Sequence, residues 1–206
     1  MDKFLATGGA AVIAALIGGT YVITQIRQPA DAFAACRGGQ VAGGDIGGPF
    51  TLVDEAGATV TDREVITQPS ILYFGYTFCP DVCPLDNARN ADAVDLLATM
   101  GISATPVFIT IDPARDTPEV MAQYTDNFSD AMIGLTGSAE QVAAASTAYR
   151  TYYSKQEGDP EFYLMDHSTF SYLVLPGLGF MDFFQRDDTA QAVADRTACF
   201  VAAAAN

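Results

Sequence analysis

The sequence predicts an α/β domain, a mixed sheet flanked by helices, behind an N-terminal transmembrane helix. Three observations predict it. Residues 70–78 (SILYFGYTF) and 106–112 (PVFITID) are apolar runs too short for helices, and each is followed by a stretch with helical spacing. Strands alternating with helices make a parallel-centred sheet. Residues 170–175 and 180–184 are two further apolar runs separated by Pro176-Gly177-Leu178-Gly179, hairpin material that makes the sheet mixed. Residues 4–26 form a run of 23 without a charge.

As a helix, that run would be about 35 Å long, enough to cross a hydrocarbon core of roughly 30 Å. Lys3 and Arg27 bracket it, so basic residues do not settle its orientation. A cleaved signal peptide is the competing reading, with Ala30-Asp31-Ala32 as a small-residue cleavage site. Cys36 after Phe33-Ala34-Ala35 faintly suggests lipidation, but Gln28, Pro29 and Asp31 separate it from the apolar run. Length favours an uncleaved anchor. The expected organisation is an anchor and linker over 1–35 and a folded domain over 36–206, carried across a membrane on either reading.

Glycine-rich residues 28–48 suit a flexible lead-in. Phe50-Thr51-Leu52-Val53 and Thr59-Val60-Thr61 flank Asp54-Glu55-Ala56-Gly57 as a hairpin. Pro69 and Pro80 bound the run 70–78, which reads as a central buried strand. Over 85–100, Leu85, Ala88, Ala91, Val94, Leu97 and Met100 recur near helical spacing, with Gly101 as the stop. Beyond the strand 106–112, Thr117 caps a helix over 118–128, with Pro118 first and Glu119 in the favourable first turn. Ser138 opens another, with Val142, Ala145, Tyr149 and Tyr152 on one side, and 189–203 closes the chain as a helix. This layout is that of the thioredoxin-like architecture, in which reactive thiols sit where the first long strand meets its helix. That step is a fold-level analogy.

Composition narrows the chemistry. Half the residues are hydrophobic, enough for an ordinary core. Ten Lys and Arg against 25 Asp and Glu give a formal charge of −15, a field that repels polyanions and argues against nucleic acid. Four cysteines and one histidine leave few places for Cys/His chemistry.

Cys79-Pro80-Asp81-Val82-Cys83-Pro84 lies between the first long strand and its helix. Pro84 disfavours the α region for the residue before it, so Cys83 is expected at the N-cap with Pro84 at the first helical position. Both sulfurs then lie near the positive end of the helix dipole, which favours thiolate. On its own a CxxxC pair in an exported protein reads equally as a structural disulfide; the strand-to-helix position shifts the weight to function. His167 precedes a predicted strand, and loops at the carboxyl ends of neighbouring strands gather round one crevice. Two thiolates and an imidazole are soft donors that suit copper, Cu(I) in particular, whereas structural zinc ordinarily takes a fourth protein ligand. A lone histidine is more often structural, and Tyr149, Tyr152 and Tyr153 read as packing residues. Asp112, Arg115 and Asp116 most simply brace a turn. Cys36 and Cys199, at opposite ends of the exported domain, form a candidate structural disulfide, with free thiols as the alternative.

Three ordered blocks then carry a resemblance: Tyr73-Phe74-Gly75-Tyr76-Thr77-Phe78-Cys79-Pro80-Asp81-Val82-Cys83-Pro84, Ile111-Asp112-Pro113-Ala114-Arg115-Asp116-Thr117-Pro118-Glu119, and Asp166-His167-Ser168-Thr169. Together they resemble the Sco/SenC family of membrane-anchored copper proteins across essentially the whole exported part. The resemblance implies a thioredoxin-like fold and Cys79, Cys83 and His167 as copper ligands for Cu(I) and Cu(II). It implies a part in assembling the binuclear copper centre of cytochrome c oxidase subunit II, with other copper carriers or thiol reductants as further partners. Some members instead reduce the cysteines of that centre, so Cys79 and Cys83 are also a candidate redox dithiol of a thiol–disulfide oxidoreductase. A thiol peroxidase is the weakest reading, because no second histidine offers a general base. The implied location is a bacterial-type inner membrane, single-pass, with the domain in the periplasm, or the equivalent mitochondrial intermembrane space. The Cys36/Cys199 pair is not required by the family motif.

Overall fold

The computed structural model describes residues 31–38, 46–159 and 161–205. The chain divides into a unit of residues 1–34 and a unit of residues 35–206. Of the first, the described residues 31–34 belong to a turn in which the Phe33 N–H donates to Asp31 Oδ1 at 3.0 Å. The predicted span over 4–26 lies outside the described residues. Among the described residues no helix is long and apolar enough to cross a membrane.

The second unit has the expected thioredoxin-like α/β arrangement. In chain order it runs β1 (Thr51–Asp54), β2 (Thr59–Thr61), α1 (Asp62–Val65), β3 (Ser70–Gly75), α2 (Val82–Thr99), β4 (Thr105–Thr110), α3 (Pro118–Thr125), β5 (Ile133–Thr136), α4 (Ala139–Ala148), β6 (Tyr153–Lys155), β7 (Met165–His167), β8 (Ser171–Leu175), β9 (Gly179–Phe184) and α5 (Ala190–Ala204). Seven strands form one sheet in the order β2-β1-β5-β4-β3-β8-β9, and β6 pairs β7 in a separate ribbon. The centre is parallel, β3 with β4 and β4 with β5, while β8 joins β3 and β9 joins β8 antiparallel. Every residue of β3 and of β4 is buried, as strands covered on both faces must be. α2 packs against α5, and α3 against β5. The core is rich in rings and branched chains, among them Leu52, Ile71, Tyr73, Phe74, Phe108 and Ile109.

Local chemistry sets the helix ends. The hydroxyls of Thr117, Ser138 and Thr189 accept from the amides three residues on, as cap residues do. Gly101, at φ +78°, follows the last turn of α2 as the expected stop. Tyr149 is the C-cap of α4 and buried, but Tyr152 lies beyond the helix and is 62% exposed. The single-sided tyrosine stripe is therefore broken where Arg150 takes φ +54°.

Other expectations are corrected. α2 begins at Val82 with Asp81 as N-cap, so Cys83 is in the first helical turn rather than at the cap. Pro84 is tolerated there because amides of the first turn have no intrahelical acceptor. β3 stops at Gly75, three residues before the end of the apolar run. Its next residues turn instead, with the Cys79 N–H donating to the Tyr76 carbonyl at 3.2 Å. α3 ends at Thr125, short of residue 128. β5, β6 and β7 were not expected: Gly134 interrupts the first, and the other two are three-residue segments with charged members.

Candidate metal centre

The carboxyl end of β3 is shaped by a missing side chain. A Cβ at Gly75 would lie 2.8 Å from Cys83 Sγ and 2.9 Å from both Phe108 Cε2 and Tyr73 Cε1. Glycine therefore lets the strand pass directly beneath the sulfur. Beyond it, Thr77 is gripped by Asp116, which accepts from the Thr77 N–H at 3.1 Å and from its hydroxyl at 2.6 Å. Asp116 is itself buried and also accepts from the Thr110 hydroxyl at 2.6 Å. That grip fixes the turn leading to Cys79. The Cys83 N–H, one of the free amides at the start of α2, donates to Cys79 Sγ at 3.4 Å.

His167 is brought in by the β6–β7 ribbon, where it pairs with Tyr153. Its Nδ1 is 2.8 Å from the Ser168 carbonyl. A carbonyl only accepts, so the ring proton belongs on Nδ1 and the Nε2 lone pair faces Cys83 Sγ at 3.4 Å. The rings of Tyr76 and Tyr73 meet the imidazole edge-on, at 5.7 Å and 6.3 Å between centroids. Two sulfurs and one imidazole nitrogen thus converge, all within 4.8 Å of one another. No fourth His, Cys, Asp or Glu joins this group among the described residues.

The two thiols titrate in opposite directions. A hydrogen bond from Cys83 outweighs the cost of burial and, with help from His167 and the amides of Asp81 and Cys83, lowers Cys79 to about 3. Burial, reinforced by the neighbouring Cys79 charge, raises Cys83. In the free dithiol these opposite shifts favour the charge on Cys79 and the proton on Cys83. Burial lowers His167, but the hydrogen bond that its protonated ring gives Cys79, together with the one to the Ser168 carbonyl, outweighs that and raises it. Asp86, buried one turn along α2, is raised by burial, and its Oδ2 has no hydrogen-bond partner among the described residues. The Tyr73 hydroxyl, also raised by burial, approaches Cys83 Sγ at 3.9 Å.

Of the residues singled out from sequence, Cys79, Cys83 and His167 come together, whereas Cys36 and Cys199 join each other in a disulfide with 5.5 Å between Cα atoms. Sequence reasoning missed Gly75, whose signal was a glycine at the end of an otherwise apolar strand. It also gave Asp112, Arg115 and Asp116 too small a role: the turn they form grips the segment that carries Cys79.

Comparison with known proteins gives a consistent picture. The SCO1/SenC family model matches residues 39–202. The SenC protein of Rhodobacter capsulatus is 54% identical over 202 residues, covering 97% of this chain and 91% of that protein. The human mitochondrial SCO1 homolog is 42% identical over 68% of this chain but only 47% of its own length. Among solved structures, Arabidopsis thaliana ScoI with copper bound is 37% identical with a TM-score of 0.72, covering 76% of this chain and 99% of that one. Yeast Sco1 with copper bound is 36% identical with a TM-score of 0.72, covering 77% and 90%.

Proposed function

This chain belongs to the SCO1/SenC family, and on that premise we propose that it binds copper through Cys79, Cys83 and His167 and hands it on during assembly of cytochrome c oxidase. The observation that carries the reading is the convergence of the three donor atoms within 4.8 Å. Two thiolates and an imidazole are soft, and three donors suit Cu(I) better than a closed structural zinc site. Copper is cargo here. Cys79 offers its sulfur already charged, Nε2 of His167 offers a lone pair held in place by the Ser168 carbonyl, and Cys83 gives up its proton as the ion is taken up.

The acceptor in this reading is the binuclear copper site of subunit II, reached by stepwise ligand exchange. Exposed apolar side chains close in sequence to the donors support a protein partner: Phe78 precedes Cys79, Leu85 follows Cys83 by two positions, and Phe162 and Phe170 flank His167. The proposed location is a single-pass inner membrane protein, anchored by residues 4–26, with its domain in the periplasm or the equivalent intermembrane space. The uncharged run supports the anchor, and the Cys36–Cys199 disulfide supports an oxidising compartment.

The charged Cys79 beside a protonated Cys83 also favours a second reading, reduction of a disulfide in the same acceptor. Cys79 would attack one partner sulfur to give a mixed disulfide. Cys83, losing its proton, would then displace the partner, leaving two partner thiols and a Cys79–Cys83 disulfide for a cellular thiol reductant to reset. A strain carrying His167→Ala separates the two. Loss of oxidase assembly with dithiol exchange intact is expected for copper delivery; full complementation would overturn it in favour of exchange.

A further inference from the structure

The donors arrive on two separate pieces of chain, the 76–83 segment and the β6–β7 ribbon, and one side chain touches both. Arg115 Nε donates to Asp112 Oδ2 at 2.5 Å, and its Nη1 donates to the Tyr163 carbonyl at 3.0 Å. The Tyr163 hydroxyl returns to Asp112 Oδ1 at 2.7 Å, closing a ring of contacts. The guanidinium lies 3.6 Å from the ring centre of Tyr163, 4.7 Å from that of Phe78 and 5.8 Å from that of Tyr76. Phe78 adjoins Cys79; Tyr163 lies just upstream of His167. Tyr76 ties the same two pieces again, since its hydroxyl accepts from the Met165 N–H at 3.2 Å.

We infer that Arg115 is a positioning residue for His167: it locks the ribbon that carries the imidazole against the turn that carries Cys79, and so sets the approach of Nε2 to the sulfurs. A planar fork suits this work. One edge pairs with a carboxylate and the other with a carbonyl while the faces lie on aromatic rings, which a lysine ammonium cannot reproduce. Nη2 is buried with no hydrogen-bond partner among the described residues, so the aromatic faces are what offset its desolvation. The ribbon is only two strands of three residues outside the main sheet, held besides by the Tyr76 hydroxyl and by Met165 and Tyr153 packed on the core. Asp116 serves the cysteine side of the same turn; Arg115 and Asp112 serve the histidine side.

The inference rests on His167 being a copper ligand, and the test keeps the two claims apart. Cu(I) retention is measured by chelator competition for the parent, Arg115→Lys, His167→Ala and the double variant, and amide exchange is followed in the copper-free protein. Arg115→Lys should weaken retention by about 10–100-fold, as loss of an outer-shell partner does. In the His167→Ala background it should cost less than about twofold more, because its effect runs through that ring. Without copper, Arg115→Lys should speed exchange at the Met165 and Ser168 amides and leave β3 and β4 unchanged. Equal losses in both backgrounds, or unchanged exchange at 165 and 168, would overturn the inference. If His167→Ala itself leaves retention unchanged, the ligand assignment fails and the exchange result alone decides the role of Arg115. Tyr163→Leu, which removes the ring and the hydroxyl from the same contact, should repeat the pattern and stands in if Arg115→Lys does not fold.

Discussion

Cys83 Sγ and His167 Nε2 lie 3.4 Å apart although 84 positions separate them in the chain. One sits in the first turn of a helix packed on the main sheet, the other on a small ribbon outside it. The contact therefore depends on tertiary structure, and the residues that enforce it can be altered singly.

His167→Ala should leave the domain folded, since the ring is partly exposed at the rim, with a stability change within about 1 kcal/mol. Cu(I) retention should fall by about tenfold or more, equivalent to at least about 1.4 kcal/mol. Circular dichroism and chelator competition on the same sample check both halves; undiminished retention contradicts the assignment.

Gly75→Ala introduces a Cβ 2.8 Å from the Cys83 sulfur in a site walled by Phe108 and Tyr73. Overpacking of this kind costs about 1–3 kcal/mol, and here the sulfur is among the atoms that must move. Urea unfolding should register the loss, and copper retention should weaken beyond what a remote variant of equal stability shows.

Cys79 keeps its charge down to about pH 3 in the folded chain, whereas an unfolded cysteine protonates near about 8.5. Between those values the unfolded state binds the extra proton, so stability from this group rises with pH and is lost as pH falls toward 3. Cys83, raised by burial, acts oppositely above about 8.5. Urea unfolding of the reduced protein from pH 4 to 8 should show a steeper rise than Cys79→Ser. Parallel profiles would contradict the assignment of the thiolate to Cys79.

Much of this arrangement was legible in the sequence because the informative residues act locally. Pro69, the apolar run it opens and Cys79-Pro80-Asp81-Val82-Cys83 mark a strand running into a helix, and Thr117, Ser138 and Thr189 announce helix starts through their own hydroxyls. The β6–β7 ribbon was not legible, since Tyr153-Ser154-Lys155 and Met165-Asp166-His167 have no apolar periodicity and hold by pairing alone. β5 was hidden by Gly134, where a Cβ would crowd Thr125 and Met121 at 3.1 and 3.2 Å and displace the Glu55 carboxylate. The role of Asp116 was invisible for a different reason: its partner Thr77 is 39 positions away, and nothing in spacing reports a long-range hydrogen bond.

The Cys36–Cys199 disulfide closes a loop with a sequence separation of 163. Replacing both cysteines by alanine should cost about 2–4 kcal/mol, mainly by freeing the unfolded chain. The copper site, built from other elements, should be unaffected. Thermal unfolding and Cu(I) titration of the double variant check this; a concurrent loss of copper binding would show that the staple also shapes the site.

On the proposed reading, two sulfurs and one imidazole nitrogen share a single ion. X-ray absorption at the copper edge of the Cu(I)-loaded reduced domain counts those donors. Two sulfur scatterers and one nitrogen from imidazole are predicted, with the nitrogen signal lost in His167→Ala and one sulfur lost in each of Cys79→Ser and Cys83→Ser. An unchanged imidazole signature in His167→Ala, or a sulfur count untouched by either cysteine variant, would contradict it.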